Sequence, residues 1–137
     1  MHDIPPTTSK VRGRERYGAP TEKRDRRDVT ELPEVKELTI LNLNIRGLNS
    51  AAKQVAIDNV VKQVDPHVIC LNETKLQYDL YLDNFWSHQT MHRRNGGCWT
   101  AATTKTRLTL VKALGNYLCW TRLTTGNKQV QILNCYL

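Results

Sequence analysis

From residue 38 onward the chain keeps two hydrophobic rhythms in turn. "LTILNLNI" sets Leu38, Ile40, Leu41, Leu43 and Ile45 so densely that it predicts a strand over 38–45, nearly buried on both faces. "RGLNS" follows as a turn, with Asn49 or Ser50 placed to cap a helix. In "AAKQVAIDNVVKQV", Ala52, Val55, Ala56, Val60 and Val64 return every three or four residues, and this stripe predicts the inward face of an amphipathic helix. Asp65-Pro66 stops that helix, and "HVICLN" reads as a second short buried strand. A strand, a helix and a strand joined this closely form a right-handed parallel βαβ unit.

After residue 80 the rhythm is that of strands alone. Strands are predicted near 84–91, 97–104, 107–113, 117–124 and 128–136, with "RRNGG" and "TTGNK" as turns. The sequence stops inside "QILNCYL", an apolar strand-like run, and so reads as a truncated chain. Residues 1–36 show neither rhythm. "VRGRERYGAPTEKRDRRD" is dense in charge and predicts a disordered basic leader, either a nucleic-acid-contacting arm or a solvated tail.

With 137 residues there is room for one domain with a real core. The net charge of +7 favours a polyanionic partner, nucleic acid before an anionic membrane surface. Charge is placed unevenly: residues 84–137 hold seven Lys and Arg and no Asp or Glu. No apolar run approaches the roughly 20 residues of a membrane span, and the first ten residues have no signal-peptide core. Cys70, Cys98, Cys119 and Cys135 are widely spaced without a CxxC pair, which predicts buried reduced thiols of an intracellular protein rather than a zinc site.

Ligands of a βαβ unit bind above the carboxyl ends of its parallel strands. The first strand ends at Asn44, the second at Asn72-Glu73-Thr74. A carboxylate at the end of a buried strand is costly unless it is paired or holds a metal. A hard cation such as Mg²⁺ accepts a carboxylate, an amide oxygen and several waters. Local roles stand beside this reading: Glu73 can pair with Lys75 or cap a turn, and Asn44 can satisfy loop amides.

"LNLNIRGLN" and, some 25 residues later, "DPHVICLNETKL" together resemble the exonuclease–endonuclease–phosphatase superfamily. The likeness is to the apurinic-type endonuclease domain of non-LTR retrotransposons. "RRNGGCWTAA" is similar to that family's Gly-Gly strand entry, and "LNCYL" to its strand ending in Asn-x-Tyr. His67 stands where the family often has Asp. The resemblance spans residues 37–137 as a partial domain. It implies an α/β fold, the N-terminal part of a four-layer αββα sandwich with a mixed sheet. It also implies hydrolysis of phosphodiester bonds in duplex DNA with Mg²⁺ or Mn²⁺ and weak sequence preference, with a nuclear location for a retroelement-derived protein. Asn44 and Glu73 match the family's metal-site residues, and Tyr136 its phosphate-contacting tyrosine. Arg46, Arg93 and Arg94 are candidate nucleic-acid contacts.

The family's later motifs, an Asp-x-Asn that orients the attacking water and a closing Asp-His pair, have no counterpart in this sequence. Metal binding is therefore expected to be weak and cleavage absent from this chain alone. Two other readings remain open. One is a non-catalytic nucleic-acid binder that stacks bases on Trp86, Trp99 or Trp120, although these tryptophans also suit a core. The other is a phosphatase of the same superfamily.

Overall fold

β2 (Ile40–Asn44) and β3 (Val68–Asn72) lie side by side and parallel, with α1 (Ala51–Val64) between them in the chain. This is the βαβ unit that the sequence predicts. The computed structural model describes residues 11–13, 33–92 and 94–136. Ser50 caps α1, its hydroxyl accepting the Lys53 amide at 3.1 Å. At the other end Asp65 turns into the left-handed region at φ 52° and its amide donates to the Val61 carbonyl.

The helix presents a different face from the predicted one. Gln54, Asp58 and Val61 are buried, whereas Ala52, Ala56 and Val64 are exposed and Val55 and Val60 only half-buried. Two alanines offer little area to bury, while Ile57 and Val61 pack with Leu48, Leu41, Leu43 and Leu71. Gln54 follows them inward because its amide donates to the Leu48 carbonyl and the Tyr78 hydroxyl. Asp58 keeps an ion pair with Lys62 at 3.3 Å.

Beyond β3 the chain is built from strands. β4 (Leu80–Leu82) pairs with β1 (Val11–Gly13), and β5 (Phe85–Gln89) and β6 (Cys98–Thr103) form a hairpin. Because β6 also lies antiparallel to β3, the first sheet is mixed, with the order β2-β3-β6-β5. β7 (Arg107–Leu114), β8 (Leu118–Thr125) and β9 (Lys128–Cys135) make a second, antiparallel sheet. β1 and β4 are not among the predicted strands. β1 lies within the stretch read as a disordered leader; most of that stretch is outside the described residues.

Two cores hold these layers. Leu48, Val61, Ile69, Leu71 and Trp99 pack between α1 and the mixed sheet. Val68, Cys70, Trp86 and Ala102 meet Leu108, Leu123 and Ile132 between the two sheets. Here β2 departs from expectation: none of its residues is buried, and Ile40 is 53% exposed. β2 is the outer strand of its sheet, and β9 lies over β3 and β6 instead. The face of β2 carrying Ile40, Asn42 and Asn44 therefore stays open. At the far end of the sandwich, the Val35 amide donates to Thr125 Oγ1 at 2.6 Å and Lys128 pairs with Glu34 at 3.0 Å. No helix among the described residues is long and apolar enough to cross a membrane.

Candidate functional site

β3 leaves the sheet at Asn72 and enters a loop with unusual backbone. Glu73 and Lys75 both sit in the left-handed region, at φ 56° and 53°, where side chains other than glycine are strained. Hydrogen bonds hold the loop there from both flanks. On one side the amides of Gly47 and Leu48 donate to the carbonyls of Glu73 and Thr74, at 2.7 and 2.8 Å. On the other, the amides of Thr74 and Lys75 donate to the carbonyls of Gly97 and Gly96, at 3.2 and 2.7 Å. Gly97 has φ 102°, and a side chain there would collide with the Thr74 hydroxyl. The "RGL" and Gly-Gly segments thus act as two clamps on the Glu-Thr-Lys loop.

Asn72 is the hub of what lies beside it. Asn44 is its partner in the parallel register, and the Asn44 carbonyl oxygen Oδ1 accepts the Arg46 amide at 3.3 Å. Asn72 Nδ2 donates to Asn134 Oδ1 and, at 3.3 Å, to the Cys135 carbonyl. Asn134 is only 3% exposed, and its Nδ2 reaches the Leu71 and Trp99 carbonyls and Thr100 Oγ1, at 3.2, 3.0 and 3.1 Å. This pair of amides bolts β9 of one sheet to β3 of the other. Tyr136 follows directly, its amide donating to the Tyr117 carbonyl at 2.7 Å.

Three of the predicted residues therefore gather at one end of the sandwich. Asn44 faces Asn72 across the ladder, Glu73 succeeds it, and Tyr136 stands one position beyond the carbonyl it holds. Asn72 and Asn134 are absent from the predicted set. Their signal was of the same kind as that of Asn44, an amide inside an apolar run.

The rim is basic. Arg46 is exposed at φ 49°, and Lys53 Nζ donates to the Ile45 and Arg46 carbonyls at 3.0 and 3.1 Å. Arg94 is exposed on the loop that leads into Gly96 and Gly97; Arg93 lies outside the described residues. Lys75 Nζ stands 3.5 Å from Glu73 Oε2. The local roles of Asn44 and Glu73 are thus both realised, on a loop amide and on Lys75.

As a donor set, one carboxylate and one amide oxygen suit a hard cation that keeps most of its waters. Among the described residues no group of three or more His, Cys, Asp or Glu gathers to hold a metal. The thiols add no ligand. Burial first, then the neighbouring Cys119 thiol, pushes Cys70 up to about 11 and Cys98 up to about 12. Burial pushes Cys119 up to about 11. All four are free, and Cys135, against expectation, is exposed. Trp86 and Trp99 are core residues whose indoles donate to the Thr106 and Leu80 carbonyls, which removes them as stacking platforms. Trp120 is half-buried, bonded to Gln131 at 2.7 Å. No family model and no curated protein matches this chain.

Proposed function

We propose that this chain carries one side of a metal-dependent phosphodiesterase site acting on DNA, of the exonuclease–endonuclease–phosphatase kind. The observation that carries this reading is the placing of Asn44 and Asn72 side by side in the parallel register, with Glu73 directly after Asn72 and with Tyr136 one position beyond the Cys135 carbonyl that Asn72 holds. Glu73 and Asn44 would hold Mg²⁺ or Mn²⁺, which supplies Lewis-acid polarisation of a phosphodiester oxygen when bound. The Tyr136 hydroxyl would donate to a non-bridging phosphate oxygen. Arg46, Lys53 and Arg94 would attract the sugar-phosphate backbone without reading bases. The helix outside a mixed sheet, itself packed on a second sheet, agrees with three layers of a four-layer αββα sandwich.

Water activation is a different matter. It requires a base beside the nucleophile, and no Asp or Glu occurs after Asp83. The chain by itself is expected to bind Mg²⁺ with a Kd on the order of millimolar or weaker, and not to cleave. A Mg²⁺ titration followed by amide shifts, run beside a supercoiled-plasmid nicking assay, tests both halves. Shifts centred on Asn44 and Glu73, lost in Glu73→Gln, are expected together with intact plasmid. Shifts that avoid this edge would overturn the site; nicking lost on Glu73→Ala would overturn the claim of inactivity.

A second reading, binding of DNA without cleavage, is favoured by the exposed cations of the rim. It predicts affinity that falls steeply as salt rises. Salt-sensitive DNA binding without Mg²⁺ shifts at Asn44 and Glu73 would favour it over the first.

A further inference from the structure

Glu73 and Lys75 are posed for each other by the backbone. Thr74 between them is 2% exposed and tied from both flanks by backbone hydrogen bonds. With both in the left-handed region, their side chains meet, Nζ to Oε2, at 3.5 Å. The Lys75 stem runs beside Gly47, its Cδ 3.6 Å from where a Cβ would stand, an ordinary van der Waals distance. The contact is longer than the roughly 2.7–2.9 Å of a tight charge-assisted hydrogen bond. Lys75 is 39% and Glu73 19% exposed, so water reaches the pair. The ammonium is close enough to balance the carboxylate and loose enough to leave it.

We infer that Lys75 is a resident counter-cation that competes with a divalent cation for Glu73, so that filling the site moves the ammonium outward to the rim of Arg46 and Lys53. The inference rests on the proposed role of Glu73 as a ligand. It adds a control on that site: cation binding is weakened until Lys75 finds another anion. A phosphodiester at the rim is such an anion, so cation and phosphate should help each other bind.

Mn²⁺ binding followed by electron paramagnetic resonance, with no turnover, tests this on the full chain. Each variant is first checked for an unchanged amide spectrum, and Lys75→Gln replaces Lys75→Met should the latter not fold. Lys75→Met should bind Mn²⁺ about three- to fivefold more tightly, the size expected for loss of a partly exposed ion pair. Lys75→Arg should bind it more weakly than the parent chain, because a planar fork grips a carboxylate with two bonds. Unchanged or weaker binding in the neutral variant overturns the inference. If Glu73→Gln still abolishes binding in that case, the ligand role of Glu73 survives without it. If Glu73→Gln changes nothing, Glu73 is not a ligand and both fall together.

Discussion

β2 and β3 are adjacent, parallel, five residues long and closed by asparagine, yet they live in different surroundings. In β3 four of the five residues are buried, and in β2 none is. Their sequences, "ILNLN" and "VICLN", do not announce this. What separates them is position. Among the described residues β3 has neighbours on both sides, α1 with its loop against one face and β9 across the other, whereas β2 has β3 on one side only. The terminal amides diverge in the same way: Asn72 is spent on an inter-sheet bond, and Asn44 bonds one loop amide at an open edge. An asparagine in an apolar strand is therefore either a bolt or a hand held out, and the sheet order decides which.

The contrast should be largest in the apolar residues. Leu71→Ala removes a wholly buried side chain and should cost about 3–4 kcal/mol, while Ile40→Ala, at a half-exposed site, should cost under about 1 kcal/mol. Urea unfolding of the two variants measures this, and equal losses would mean that β2 is covered in solution. Next come the amides. Asn134→Ala removes a buried amide that bonds Asn72, Thr100 and the Leu71 and Trp99 carbonyls and should cost about 2–3 kcal/mol, against roughly 0.5 kcal/mol for Asn44→Ala at the open edge. A costly Asn44→Ala would make Asn44 a structural residue and weaken its assignment as a ligand.

The thiols give the finest distinction. At pH 8 only Cys135 should react quickly with a thiol reagent, while Cys70 of β3, Cys98 and Cys119 react on unfolding. Their folded values are raised above the ordinary 9.0. Each folded thiol thus holds its proton where the unfolded one has lost it. The stability this contributes is fully present below pH 9.0 and is lost as pH rises through about 11 to 12. A stability curve flat across that range would show that these thiols ionise freely in place.

Much of the local architecture was legible in the sequence. The helix, its Asp65-Pro66 stop and the βαβ pairing follow from spacing and turn chemistry, which left the cap open between Asn49 and Ser50. So do five strands after residue 84, with ends shifted by a residue or two. What was illegible depends on partners distant in the chain. The helix face was misread because Gln54 is drawn inward by Tyr78, which no periodicity of residues 51–64 can reveal. The bolt role of Asn72 needs Asn134, sixty-two positions away. β1 and β4 are three residues each, too short to carry a rhythm of their own. At the candidate site, motifs singled out Asn44, Glu73 and Tyr136, whereas the clamps that Gly47 and Gly97 place on the loop came only with the fold.

The Asn72–Asn134 bolt also sets an order of events in time. The βαβ unit and the β5–β6 hairpin involve residues 40–103 and can assemble early, from pairings of modest sequence separation. The bolt spans 62 positions, and the tie of Val35 to Thr125 spans 90. Loop-closure entropy delays such long-range contacts, so the two sheets should dock late and slowly. During synthesis the mixed sheet would wait, with the Asn72 amide unpaired, until β9 has emerged.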